Sequence, residues 1–246
     1  MNRLFAYILP ILTAVLPASV YAQSTAPAKP RPQSYIGAAG GGSFLFGPVT
    51  RTDYADPRAG FVKSPGWYVG LEGAYFFRNS GFGLGGSYTY ARHGFSHPRN
   101  LSDGYAEDFA VDSATVTAGG PFSKMDIVAG PTYALVHKKF TFDFRVYGGI
   151  THMGMPQIRV DLEDNADATF YQKKSAGIGF AVQLGAGVHY SIIRNLSLGL
   201  RADYRISQPQ IHVQNENRAN NAGRLVTDYR PLIMGLQTGL SLSYRF

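Results

Sequence analysis

Between Leu232 and Phe246 nearly every second residue is large and apolar: Leu232, Met234, Leu236, Leu240, Leu242, Tyr244 and Phe246. The residues between them are Ile233, Gly235, Gln237, Gly239, Ser241, Ser243 and Arg245, mostly small or polar. A period of two is the mark of a strand with one apolar face. The same alternation, or a glycine-and-aromatic form of it, recurs at about 34–46, 66–77, 81–92, 124–136, 140–152, 176–190, 196–207 and 231–246. Eight strands are therefore predicted.

The connections alternate in length. The segments "RNSG", "HKK" and "SIIRN" are short enough for tight antiparallel turns, whereas 47–65, 93–123, 153–175 and 208–230 are long and hold most of the Asn, Asp, Pro and charged residues outside the strands. Short turns at one end and long loops at the other are expected of an up-and-down barrel that crosses an outer membrane. A soluble sandwich has no reason to keep this rhythm.

The two registers differ in chemistry. One collects bulky residues such as Phe140, Phe142, Phe144, Val146, Ile178, Phe180, Leu184, Leu198, Leu200 and Ile206. The other holds Glu72, Asp126, Asp143, Arg145, Gln183, His189, Arg201, Asp203, Arg205 and Arg245, interleaved with glycines such as Gly185, Gly187 and Gly199. In lipid every backbone group must be satisfied by closure of the barrel, and ionisable side chains must point into the lumen. A soluble ligand-binding barrel would show the inverse, with its apolar register inside. The expected fold is all-β: an eight-stranded antiparallel transmembrane β-barrel over 34–246. Eight strands leave an interior that side chains just fill, so the four carboxylates Glu72, Asp126, Asp143 and Asp203 and the four guanidinium groups of Arg145, Arg201, Arg205 and Arg245 are expected to pair as a lumen network.

The N-terminus changes the picture of location. "MNRLFAYILPILTAVLPASVYAQS" has a cation at Arg3, an apolar core and small residues before Gln23, which reads as a signal peptide over 1–22 cleaved after Ala22. A Pro/Ala-rich leader follows over 23–33. No cysteine is present, so disulfide staples, thiolate nucleophiles and Cys-ligated zinc are excluded. The formal charge of +7 is spread along the chain, with no basic run beyond Lys138-Lys139 and Lys173-Lys174, and no nucleic-acid partner is expected.

The segments "GWYVGLEGAYFF", "MDIVAGPTYAL", "FTFDFRVYGGI", "AGIGFAVQLGAGVHYSIIRNLSLGLRADYRI" and "SLSYRF" together resemble the outer membrane protein β-barrel domain family, the small barrels related to the membrane domain of OmpA. The resemblance implies contact with outer-membrane lipid and lipopolysaccharide, a monomer, and a terminal strand, with Tyr244 and Phe246, that the barrel-assembly machinery reads as a folding signal. No peptidoglycan-binding domain follows the barrel in this sequence, so cell-wall anchoring is not implied.

The expected role is structural or interactive, through four extracellular loops, with no enzyme activity and no cofactor or metal. Two alternatives are weighed against it. His189-Tyr190-Ser191, with Asp203 or Glu72 as orienting acid, resembles the His-x-Ser pair of lipid A deacylases, but Ser191 falls at a short turn, on the side away from lipid A. A narrow channel lined by the arginines is the other. "DLEDNAD" spaces its side chains like a calcium loop but has Ala166 and Gln172 where glycine and glutamate are needed. His93 and His97 are separated by Gly94 and followed by Pro98, against a helix that would join them. "GAAGGG" lacks the spacing of a phosphate-binding loop and reads as a small-residue strand.

Overall fold

A computed structural model describes residues 31–77, 80–162, 169–217 and 225–246. The segments expected to be a signal peptide and a leader lie outside the described residues as far as Pro30. In chain order the strands are β1 (Tyr35–Phe46), β2 (Gly66–Phe76), β3 (Phe82–His93), β4 (Ala114–Ala118), β5 (Phe122–His137) and β6 (Phe140–Met155). They continue as β7 (Ile158–Leu162), β8 (Thr169–Gln172), β9 (Ser175–Ile193), β10 (Leu196–Asn217), β11 (Leu225–Tyr229) and β12 (Ile233–Arg245).

Eight of these close a ring, all neighbours antiparallel: β1, β2, β3, β5, β6, β9, β10 and β12, with β12 pairing both β10 and β1. The expected eight strands are thus the ring strands, but the ring is uneven. β1 has 12 residues while β9 has 19 and β10 has 22. Four further strands that the sequence pattern did not predict stand on the long connections, where β8, β7 and β4 extend a sheet from one edge of β10 and β11 pairs its other side. A helix, α1 (Pro98–Phe109), also unpredicted, opens with proline in its first turn, where a missing N–H costs nothing.

The missed length of β10 has a physical cause. Up to Ile206 its outward residues are apolar and its inward ones charged; beyond that the phase of the alternation continues but the chemistry exchanges. Gln208 and His212 face outward and exposed, while Ile211 and Val213 are buried inside. The neighbouring strands switch at the same level. Their inward Phe122, Met153, Met155 and Ile233 join Ile211, Val213 and the loop residues Val49 and Val62 in an apolar plug at the loop end of the ring. The opposite end carries the turns joining β5 to β6 and β9 to β10, with a small apolar cluster of Tyr35, Phe76 and Ala134.

Outside, the ring bears a continuous belt of exposed apolar side chains, among them Ile36, Leu71, Leu84, Ile127, Ile150, Ile178, Phe180, Leu200 and Leu240. Aromatic residues edge it: Phe44, Phe46 and Trp67 toward the loops, and Tyr75, Phe82, Phe140, Tyr190 and Tyr244 toward the turns. Soluble proteins bury such a surface.

Candidate functional site

The interior of the ring is largely polar, and all eight residues expected to line the lumen are buried in it: Glu72, Asp126, Asp143, Arg145, Arg201, Asp203, Arg205 and Arg245. They form two ionic clusters and one separate cation. Strand alternation aims them inward from β2, β5, β6, β10 and β12, and the barrel is narrow enough for residues on opposite walls to meet.

In the first cluster two arginines share three carboxylates. Arg145 Nη1 lies 3.2 Å from Glu72 Oε2, its Nε 3.2 Å from Asp143 and its Nη2 3.3 Å from Asp203. Arg201 donates to the same Glu72 oxygen, and its Nε reaches Asp203 at 2.7 Å. Gln183 Nε2 donates to Asp203 at 2.8 Å, and Ser87 Oγ donates to Gln183 at 3.1 Å. His189 Nε2 sits 2.9 Å from Asp143. The contacts of Asp143 with Arg145 Nε and His189 have the distance of ion pairs without the alignment of hydrogen bonds, since neither oxygen has a hydrogen-bond partner among the described residues.

Two glycines make room for this cluster. A Cβ on Gly185 would run into the Asp203 carboxylate and the Arg145 guanidinium, and one on Gly187 would stand 2.5 Å from Asp143 Oδ2. Here a side chain is excluded by the ions, not by backbone conformation.

The second cluster lies nearer the loops. Asp126 takes Lys124 Nζ at 2.6 Å and Arg205 Nη1 at 2.8 Å, and Arg205 also donates to Thr89 Oγ1 at 2.7 Å. Lys124 was not among the expected lumen residues, although it shares the parity of Asp126 two positions on, which was the available signal. Between this cluster and the apolar plug is a void of about 10 Å³, lined by Ser43, Leu45, Lys124, Arg205, Ile233, Gly235 and Gln237. That is room for about one water. Arg245, at the turn end, pairs with no carboxylate side chain among the described residues; it donates to Ser191 Oγ at 2.6 Å and to Ser197 Oγ at 3.0 Å.

The other sequence candidates fall elsewhere. His189 is buried against Asp143, and Ser191 serves Arg245, so both members of the His-x-Ser pair belong to the interior packing. His93 is held by Lys63 O and Ser43 Oγ, each at 3.1 Å, and His97 precedes α1. Asp161 pairs with Arg159 at 2.8 Å, while residues 163–168 of the calcium-like segment lie outside the described residues. Tyr244 and Phe246 are exposed at the turn end, and the Phe246 N–H donates to Ser34 O at 2.9 Å.

Above the plug the loops are ordered against one another. Tyr54 Oη donates to Asp108 on α1 at 2.5 Å, and Asn100 Nδ2 donates to Thr52 O at 3.1 Å. Beneath α1, Val160 and Leu162 of β7 pack with Tyr105, Val111 and Phe170. Asp56 bridges Arg51 at 2.7 Å and Arg58 at 3.0 Å. Hydrogen bonds from Arg58 and then Arg51 hold its carboxyl below the usual carboxylate range.

No family model matches the chain, and no curated protein is similar to it in sequence. Solved structures similar to it are small outer-membrane β-barrels. Ail, the attachment invasion locus protein of Yersinia pestis, is 13% identical at a TM-score of 0.46, over 88% of this chain and 100% of that one. A major outer membrane protein from Thermus thermophilus gives 12% and 0.48, over 87% and 99%. The outer membrane protein OprG from Pseudomonas aeruginosa gives 11% and 0.44, over 89% and 99%.

Proposed function

We propose that the chain is a monomeric outer-membrane barrel that acts through the ordered surface above its belt, as a structural or surface-interacting protein of the cell envelope, and not through its lumen. The observation that carries this reading is the contrast between the two faces of the ring. Outside lies a belt of exposed aliphatic and aromatic side chains; inside lie paired charges sealed between two apolar clusters. Only hydrocarbon makes the belt favourable, and at about 25 cal/mol per Å² its exposure to water would carry a large penalty. Opening a path through the interior would require separating buried ion pairs, each costly to break.

On this reading outer-membrane lipid and lipopolysaccharide surround the belt, the long connections face outward, and the assembly machinery reads Tyr244 and Phe246 during insertion. The deacylase alternative loses support, because His189 and Ser191 are engaged inside the ring. The test is single-molecule recording in planar bilayers with protein first shown to be folded by its heat-dependent electrophoretic mobility. No conductance steps are expected from the intact chain. Steady steps from the folded protein would favour the channel.

A further inference from the structure

The cations look scattered along the chain, but the ring gathers four of them at its turn end. Lys138 and Lys139 sit on the turn between β5 and β6, and Arg194 on the turn between β9 and β10, all exposed. The two turns touch, since Ser191 N–H donates to Lys139 O at 2.9 Å. The second turn is tied to β12 by Arg245 N–H on Asn195 O at 2.8 Å and Asn195 Nδ2 on Arg245 O at 3.0 Å. Phe246 in turn holds Ser34, three residues after the exposed Arg31. The result is one arc of positive charge across adjacent elements.

Nothing offsets it from a side chain. Among the described residues the side-chain carboxylates are either the four buried in the ring or belong to the loop end. The arc also lies against the aromatic edge of the belt. Lys139 Nζ is 5.9 Å from the ring centroid of Tyr190, which in turn contacts Phe140 at 5.3 Å between centroids. A cation drawn outward along that edge stands at headgroup height.

We propose that this arc binds the phosphate groups of anionic phospholipid in the leaflet that meets the turn end. The proposal rests on the membrane-spanning reading above. A long anionic polymer would need the cations to face away from the bilayer, whereas the placement of Lys139 over Tyr190 turns one of them toward it. Attraction of basic side chains to an anionic lipid surface is worth about fivefold in association for each cation, and salt weakens it.

The experiment uses the full mature chain inserted in bilayers of phosphatidylcholine with a minor share of phosphatidylglycerol. Spin-labelled versions of each lipid report the preference of the protein's boundary shell. The intact chain should prefer phosphatidylglycerol by about fivefold or more, less so in high salt, and the triple variant Lys138→Gln, Lys139→Gln, Arg194→Gln, which keeps Arg31, should lose most of that preference. The control Arg51→Gln, Arg58→Gln, at the loop end, should keep the preference. Equal association in the intact chain, or a preference undiminished by the triple substitution, would overturn the proposal. So would binding to isolated cell-wall sacculi that the triple variant loses without any lipid effect. Heat-dependent mobility is read on every sample: a chain that never inserts defeats the membrane reading itself, which separates that failure from a failure of the arc.

Discussion

Arg145 and Glu72 meet across the ring at 3.2 Å although 73 residues separate them, and the oxygen that receives Arg145 also receives Arg201 from a third strand. One carboxylate therefore ties β2, β6 and β10 together inside the barrel. Neither arginine is replaceable by the other, because Asp203 draws on both guanidinium groups while Asp143 pairs with that of Arg145.

Removing one of them should be costly. Arg201→Leu takes a guanidinium from Glu72 and Asp203 and leaves Arg145 as the one arginine among three buried carboxylates, and the barrel should lose about 3 kcal/mol of stability. Urea unfolding of protein refolded in lipid or detergent measures this. A loss well under about 1 kcal/mol would mean that the cluster is solvated and the interior is not sealed.

The adjacent position tests the other face. Leu200 points outward in the middle of the belt, so Leu200→Arg should cost about 2 to 4 kcal/mol in bilayers. Gln208→Arg lies on the same outward face of the same strand but above the level where the chemistry exchanges, and should cost no more than about 1 kcal/mol. Equal costs at the two positions would move the edge of the belt.

These two substitutions also show what the sequence revealed. Where outward residues are apolar and inward ones charged, period two identified the strands to within about two residues, as for β1, β2 and β3. The same rule stopped β10 at 207, because a strand rising out of the belt buries Ile211 and Val213 inside and exposes Gln208 and His212, and so loses the contrast that was being read. β4, β7, β8 and β11 are four or five residues each and are held by their neighbours in the loop sheet, a tertiary cause that no local pattern carries. The lumen residues were legible by parity alone; which of them pair, and that Lys124 joins Asp126, depends on strand register around the ring.

Acid should test the first long connection separately. Because its folded carboxyl is held low by Arg58 and Arg51, Asp56 contributes order above the ordinary carboxylate range, near pH 4, and that contribution is lost only as pH falls below it. A carboxyl carbon chemical-shift titration should place Asp56 below an unperturbed aspartate. A midpoint at the ordinary value would mean that the two arginines do not hold it in solution.

The terminal residue distinguishes assembly from stability. Phe246 is largely exposed at the turn end, so its deletion should lower the stability in detergent by no more than about 1 to 2 kcal/mol. If the assembly machinery reads it, outer-membrane abundance in cells should fall far more steeply. Matching losses in the two assays would make Phe246 a packing residue of the aromatic edge and nothing else.

The central claim, that hydrocarbon covers the belt, can be read from Trp67, the single tryptophan of the chain. It faces outward at the loop edge of the belt, packs edge-on to Tyr90 at 6.0 Å between centroids, and pairs across the strands with Arg92. In vesicles of brominated phosphatidylcholine its fluorescence should be quenched, more strongly by bromine high on the acyl chain than by bromine near the terminal methyl, with little quenching by aqueous acrylamide. Ready quenching by acrylamide with no response to brominated lipid, in protein shown to be folded, would contradict the membrane-spanning barrel.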